Sequence, residues 1–457
     1  MKVVAVFDVG KTNKKLFLFD EQYRLVGEQS DRFEMVKDED GDDCEDLERM
    51  TAWVRESLAR VMARQDVRVR AVNFSAYGAS LVHIGMDGKP VAPLYNYLKA
   101  YPEALKRRFY ETYGGEVMLS LQTASPVLGS LNSGMQLYRI KYQHPELFDR
   151  IRYSLHLPQY LSYLVTGRAV SDITSIGCHT NLWNFPQRQY HEWVYREGVI
   201  EKLAPIVPSW TATDVDGVMV GVGLHDSSAA LIPYLQSFQE PWVLISTGTW
   251  CISMNPFNDS PLTARELQQD CLCYISYEGL PMKASRLFAG YEHEREVLRL
   301  ADYFQCSPAA AAGVRFDREC VVALRARGGL GERSGAAGGE VLASGGGAER
   351  SSDFGARGLA RFGSFEEAYH GLLMDIMDRQ VRSTSLVLHD TGVGRIFVDG
   401  GFGKNEVYMR LLADAFPDIK VFAASMPQAT AMGAALAIHE SWNSGALGEV
   451  VELKGYG

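Results

Sequence analysis

The chain opens on a strand, a tight glycine turn and a second strand, and this opening limits the folds available to it. Residues 2–8 (KVVAVFD) form an apolar run ending in a carboxylate, Gly10 to Asn13 form the turn, and Lys15 to Phe19 return as a paired strand. Arg24 to Glu28 reads as a third strand. A sheet begun this way puts Asp8 and the backbone N–H groups of the turn at one strand end, where α/β folds bind their ligands. The pattern returns near mid-chain, where Trp242 to Ser246 and Cys251 to Asn255 read as a second hairpin turned at Thr247 to Trp250. Two such hairpins, each near the start of one half, predict a duplicated α/β fold.

A length of 457 residues exceeds one small core and agrees with two domains. Between the hairpins, Leu47 to Arg64 reads as an amphipathic helix, Ala71 to Phe74 and Ser80 to Ile84 as strands, and Tyr101 to about Gly167 as mostly helical. Val218 to Val222 reads as a strand and His225 to Pro233 as a small-residue helix. Late in the chain, Phe365 to Leu388, Asn405 to Phe416 and Ala429 to Ser441 read as helices around strands Arg395 to Asp399 and Val421 to Ala424. Residues 326–357 are rich in Gly, Ala and Ser with hardly an apolar anchor, the pattern of a flexible surface insertion.

Charge excludes some partners. With 46 Lys+Arg against 56 Asp+Glu, a net −10, no bulk positive field draws the chain onto nucleic acid or an anionic membrane. Apolar runs are far shorter than the roughly 20 residues of a bilayer span, and the N-terminal residues lack signal-peptide character, so a cytoplasmic protein is expected. Seven cysteines, of which only Cys271 and Cys273 lie close together, predict reduced thiols, no disulfide and no structural zinc. The acidic run Asp38 to Glu48 misplaces the glycine of a calcium loop and reads as a solvated loop whose last acids favour a helix N-terminus.

Four constellations carry chemistry. Asp8-Val9-Gly10-Lys11-Thr12-Asn13-Lys14-Lys15 has a carboxylate for hydrated Mg²⁺, a glycine for close backbone approach, and hydroxyl, amide and ammonium groups for phosphate. Ser246-Thr247-Gly248-Thr249 repeats the hydroxyl–glycine turn, and Asp399-Gly400-Gly401-Phe402-Gly403-Lys404-Asn405 joins a strand to a helix as a nucleotide-binding turn does. Gly223-Leu224-His225-Asp226-Ser227-Ser228-Ala229-Ala230 puts a carboxylate at a helix start, able to take a proton from a hydroxyl. Each of the four also reads, alone, as an ordinary turn or cap.

Their order along the chain resembles the FGGY family of carbohydrate kinases, within the actin/hexokinase-like ATPase superfamily. The resemblance runs from about residue 3 to 440 outside the Gly/Ser-rich segment and includes His156-Leu157-Pro158-Gln159-Tyr160-Leu161 with Leu164, Thr166 and Gly167. It implies an α/β fold of two ribonuclease-H-like (actin-like ATPase) domains around an inter-domain cleft, a sugar-binding one over residues 1–218 and an ATP-binding one over 219–457. It further implies Asp8 as the Mg²⁺-associated acid, Gly10, Lys11, Thr12 and Asn13 as the first phosphate turn, and Lys15 near the transferred phosphate. Gly248 and Thr249 match the second phosphate turn, and Gly400, Gly401 and Asn405 the adenosine segment. Asp226 matches the general base, while Ser75, Tyr77, Gly78 and His225 match the sugar side.

The implied reaction is in-line transfer of the γ-phosphoryl group of ATP, with Mg²⁺, to a hydroxyl of a small ketose or polyol. His225 before Asp226 resembles the arrangement in kinases of rhamnulose- and fuculose-type ketoses, and a xylulose type also fits. The family's aromatic, acidic and Arg combination is replaced here by Tyr95-Asn96-Tyr97-Leu98-Lys99-Ala100-Tyr101-Pro102, Gln159 stands where an acid is common, and Asp172-Ile173-Thr174-Ser175 either lines the cleft or caps local structure. The rival readings are a sugar-independent actin-like ATPase, a non-catalytic sugar sensor and a kinase of a non-sugar alcohol. The partner expected is a small-molecule sugar, with no nucleic acid and no membrane. Oligomeric state is left open, a homodimer included.

Overall fold

Alternating apolar residues in the first 31 positions form an antiparallel meander of β1 (Lys2–Val9), β2 (Lys14–Asp20) and β3 (Leu25–Asp31). This computed structural model describes residues 1–327 and 354–456, apart from 356, 427 and 449, so the expected insertion at 326–357 lies almost wholly outside the described residues. Helix α1 (Leu47–Met62) begins where the Asp46 carboxylate accepts the Arg49 N–H and buries Met50, Trp53, Val54 and Val61. It returns the chain to β4 (Arg68–Ala76), which pairs parallel to β1. After a mostly helical stretch, β5 (Ala212–Val215), β6 (Val218–Gly221) and β7 (Leu224–His225) complete the sheet, β6 and β7 each parallel to β4. The order is β5-β6-β4-β1-β2-β3. Strand pairing therefore carries the first sheet past the expected division at 218, to His225.

The expected helix His225 to Pro233 is two helices, α2 (Asp226–Ala229) and α3 (Ile232–Ser237), because Pro233 starts a new first turn. The second sheet follows from β8 (Trp242–Thr247), β9 (Cys251–Asn255), β10 (Cys271–Ile275), β11 (Pro281–Leu287), β12 (Arg395–Gly400), β13 (Lys420–Ser425) and β14 (Glu452–Tyr456). Its order is β10-β11-β9-β8-β12-β13-β14. β8, β9 and β11 are antiparallel, while β12 and β13 add parallel to β8, which repeats the arrangement of β1, β2, β3 and β4. Helices α4 (Ala289–Tyr303), α5 (Phe365–Leu388) and α6 (Glu406–Ala415) cover this sheet. Cys271 and Cys273 are buried on one face beside Ala124 and Leu262, and all seven cysteines are free thiols.

Helix α7 (Ala429–Ala437) belongs to the second half by sequence yet lies between the two sheets, packed with Val4, Val6 and Phe17 on one side and Trp242 and Leu244 on the other. Its small residues make this possible. A Cβ on Gly433 would stand 1.8 Å from the Ala229 carbonyl oxygen, so α7 and α2 touch backbone to backbone. The buried Asn73 amide of β4 donates to the Ala434 carbonyl at 2.7 Å. No helix among the described residues is long and apolar enough to cross a membrane.

In the first half Leu81–Ile84 pairs antiparallel with the distant strand Tyr153–His156, and the pair buries two histidines. His83 Nδ1 meets Ser154 Oγ at 2.8 Å and His156 Nε2 meets Ser133 Oγ at 2.9 Å. Burial pushes both imidazoles down to about 3, with neighbouring positive charge adding to the effect. Each stays neutral in the folded chain while its unfolded counterpart protonates near its ordinary 6.5, so their stabilisation is present above that pH and is lost as pH falls toward 3. In His83→Gln the slope of unfolding free energy against pH, measured by urea titration between about pH 6 and 4, should fall by about 1.4 kcal/mol per pH unit relative to the native chain. An unchanged slope contradicts this account of His83.

Candidate active site

Asp8 sits near the end of β1 with Lys15 opposite it on β2 and Ser75 on β4. The turn beyond closes through the Gly10 N–H to the Asn13 carbonyl at 2.9 Å. The Asp8 carboxyl is raised from 3.8 to about 7, first by burial and then by the charge of Asp226; Thr430 Oγ1, donating at 3.1 Å from α7, and Lys15 act in the other direction. Asp226 begins α2 and is partly open to solvent, its Oδ1 accepting the Ser227 N–H at 2.6 Å. A half-buried carboxylate beside a second one is a donor set suited to a hard divalent cation, which removes the repulsion between them, so Asp8 fits the expected Mg²⁺ role.

The other polar groups of the first turn are engaged elsewhere. Lys11 Nζ lies 3.1 Å from Glu45 Oε1 and 5.1 Å from the centre of the Tyr97 ring, and Lys14 Nζ donates to Glu45 Oε2 at 2.9 Å. Glu45 is buried, so this carboxylate joins both lysines to the acidic run. Lys15 Nζ is paired with Glu28 at 2.9 Å, Asn13 Oδ1 accepts from Arg32 Nε at 2.8 Å, and Thr12 is exposed at the tip. Lys11 and Lys15, expected to offer charge to phosphate, both hold carboxylate partners in this structure, while the backbone of Gly10 to Asn13 keeps the turn shape.

Across the second sheet the corresponding turn is tied to the strand-to-helix loop. Thr247 Oγ1 donates to the Asp399 carbonyl at 2.6 Å and accepts the Phe402 N–H at 3.0 Å, and the Thr247 carbonyl accepts the Gly401 N–H at 3.2 Å. Gly400 has φ +91°, and a Cβ there would stand 2.0 Å from the Thr247 oxygen. Gly248 and Thr249 are exposed at the turn, with Gly290 of α4 behind them, where a Cβ would lie 1.7 Å from the Gly248 oxygen. Gly400 and Gly401 are exposed as an adenosine-facing segment requires. Asn405 is different: its Oδ1 caps α6 through the Tyr408 N–H at 3.0 Å and its Nδ2 donates to the Tyr369 hydroxyl at 2.6 Å, which meets His293 Nε2 at 2.9 Å. Its side chain holds the segment expected to bind adenosine to α4 and α5.

Of the residues expected on the sugar side, Gly78 abuts His225, Tyr77 precedes Gly78 and Ser75 lies beside Asp8. A Cβ on Gly78 would lie 2.9 Å from the His225 ring and 2.8 Å from Cys178 Sγ. His225 Nε2 stands 3.3 Å from Asp226 Oδ1; burial lowers this imidazole and Asp226 opposes that. The His225 N–H donates to Thr174 Oγ1 at 3.0 Å, and the Thr174 hydroxyl donates to Asp172, which also accepts Ser209 Oγ at 2.5 Å. Asp172, pushed up to about 6 by burial, therefore caps local structure and braces the segment that carries Asp226. Sequence reasoning missed His179 and Tyr274, whose rings lie 6.3 and 5.7 Å from that of His225, and Thr430. His179 Nδ1 and Ser175 Oγ are buried without a hydrogen-bond partner among the described residues. A histidine after Cys178 was a weak signal; nothing in the small-residue run around Thr430 was one.

Comparison with known proteins places this arrangement. The description "FGGY family of carbohydrate kinases, N-terminal domain" matches residues 3–212 and the corresponding C-terminal domain matches residues 368–439, together more than half of the chain. Rhamnulokinase of Yersinia pestis (strain Pestoides F) is 22% identical over 282 residues, 58% of this chain and 56% of the relative. Rhamnulokinase of Halalkalibacterium halodurans is 19% identical over 265 residues, 55% of this chain and 56% of the relative. The chain thus spans just over half the length of the curated relatives it matches. Among solved structures, a carbohydrate kinase from Novosphingobium aromaticivorans superposes with TM-score 0.75 at 24% identity, covering 99% of this chain and 95% of that one. Xylulose kinase from Rhodospirillum rubrum gives TM-score 0.76 at 15% identity, covering 99% and 94%. At such identities the likeness establishes the fold, two actin-like ATPase domains, and with both domain matches the chain belongs to the FGGY family of carbohydrate kinases.

Proposed function

We propose that the chain is an ATP- and Mg²⁺-dependent kinase of a small ketose or polyol, with Asp226 as general base. The observation that carries this is the pairing of two half-buried carboxylates, Asp8 at the end of β1 and Asp226 at the start of α2, with Thr430 of α7 donating to Asp8. Asp226 takes the proton of the acceptor hydroxyl; the oxygen so freed bonds to the γ-phosphorus, and the bridging bond to the β-phosphate breaks to release ADP. Mg²⁺ held at Asp8 supplies charge neutralisation for the transferring group. His225, 3.3 Å from Asp226, keeps the base oriented and offers the acceptor a polar neighbour, and the unpartnered His179 Nδ1 and Ser175 Oγ suit a ligand with several hydroxyls. The relatives named rhamnulokinase and the structural neighbour named xylulose kinase support a ketose of the rhamnulose, fuculose or xylulose type.

ADP release from Mg-ATP across a panel of ketoses, aldoses and polyols tests the reading. One sugar should stimulate release, and Asp226→Asn should abolish that stimulation by at least about 100-fold while nucleotide binding persists. Release without sugar dependence supports the ATPase reading instead, and binding without turnover the sensor. Gly290→Ala should act on the nucleotide side alone, because the new methyl group displaces the Gly248 carbonyl. Its KM for ATP should rise by about tenfold or more with the KM for sugar unchanged, measured in the same assay.

A further inference from the structure

The acidic run is only partly solvated: Glu39, Asp40, Asp42 and Asp43 are exposed, while Asp38 and Glu45 are buried and the segment folds against residues 94–99. Asp38 Oδ1 accepts the N–H groups of Asp40 and Asp42 at 3.0 Å each, which curls the segment so that the carboxylates of Asp38, Asp40 and Asp42 converge. The centre of this ring holds the ammonium of Lys99, at 2.5, 2.8 and 3.1 Å from the three carboxylates. Lys99 and Asp38 are buried. Next to them the Tyr95 hydroxyl donates to Glu39, and the Arg139 guanidinium lies 4.8 Å over the Tyr95 ring. Farther along, Glu45 bridges to Leu94 as an isolated β-pair and holds Lys11 and Lys14. The segment thus grips residues 94–99 at three points.

Between those points stands Tyr97. It occupies a turn closed by the Lys99 N–H to the Asn96 carbonyl at 2.9 Å and by the Leu98 N–H to Asn96 Oδ1 at 3.0 Å. Its ring meets Tyr77 at 5.8 Å edge to face and caps the Lys11 ammonium at 5.1 Å. No hydrogen bond of its hydroxyl occurs among the described residues, and Tyr77, against which its ring packs, is followed by Gly78, whose Cβ position lies 2.9 Å from the His225 ring; the phenol is raised by burial first and then by the charge of Asp226.

We infer that Asp38–Asp42 is a positioning element of the acceptor pocket, acting through Lys99 to fix the turn that carries Tyr97, and that Tyr97 sets acceptor specificity by contact with the substrate. The contact role rests on the kinase reading. A lysine inserted among three carboxylates does here what a bound cation does elsewhere: it removes their mutual repulsion and fixes a loop, but its covalent link makes the loop it fixes the acceptor wall.

The test pairs kinetics with amide hydrogen exchange. Lys99→Met should raise the acceptor KM by about tenfold while kcat and the KM for ATP stay within about twofold, and Lys99→Arg should restore most of the loss. Exchange across residues 94–101 should quicken in Lys99→Met, with the 10–13 turn unchanged. Tyr97→Phe should reproduce the KM rise with native exchange. Should Lys99→Met fail to fold, Asp40→Asn with Asp42→Asn keeps the buried Lys99–Asp38 pair and should raise acceptor KM by about threefold. The inference is overturned if acceptor KM and exchange are native in these variants, or if kcat, both KM values and exchange throughout the chain change together. A native chain without sugar-dependent turnover sinks the kinase reading and the contact role of Tyr97, whereas exchange, read without substrate, still decides whether Lys99 positions the turn.

Discussion

Asp8 is held where burial and the neighbouring Asp226 both oppose its ionisation, and parts of the chain far apart in sequence are needed to hold it there. β1 delivers it, α2 delivers Asp226, and α7, more than 400 residues later, supplies the Thr430 hydroxyl that donates to it. The backbone contact of Gly433 with Ala229 locks α7 to the helix that carries Asp226, so the partners of the pair are fixed by one packing event. Repulsion built into a site in this way is a destabilisation that the rest of the fold must offset, and it is relieved when the site receives a cation. The large apolar contact between the sheets, running through Val4, Phe17, Trp242 and Leu244, is where that offset comes from.

Much of the fold was legible because its strands alternate and its turns carry glycine. β1, β2, β8, β9 and α5 lie where apolar period and turn residues put them, and the repeated hairpin gave away the duplication. The region from Cys271 to Tyr303 was not legible. β11 interleaves Lys283 and Ser285 at buried positions, which reads as a polar loop until Glu266, 2.7 Å from Lys283, and Ser383, whose carbonyl accepts from Ser285 Oγ, are seen to satisfy them. A local pattern holds no trace of partners supplied by distant elements. The same cause hid the hydrogen bond from the Asn405 amide to Tyr369 of α5, a partner that the glycine-rich loop gives no hint of.

Charge was the property read least well. Asp38 to Glu45 has the composition of a solvated loop, yet Asp38 and Glu45 are buried, because lysines 11, 14 and 99 arrive from other parts of the chain. A net charge of −10 therefore says little about any one acid: where three carboxylates share one ammonium, the balance is local and the remaining charge is displayed elsewhere. By contrast Asp8 and Asp226 stood out in the sequence, since each follows an apolar strand and precedes turn-forming or small residues.

Gly290 draws a line between what is seen of the nucleotide side and what maintains it. Gly248 and Gly401, the loop glycines that a motif search ranks first, have no atom within 4 Å of where a Cβ would stand, whereas Gly290 lies outside every motif and has none of that room. The rim of the loop is therefore free to vary in side chain and the layer behind it is not. Divergence within such a lineage can accumulate on the surface that meets nucleotide without moving the backbone, so two chains of this family can look unlike at the loop and still present the same shape to phosphate.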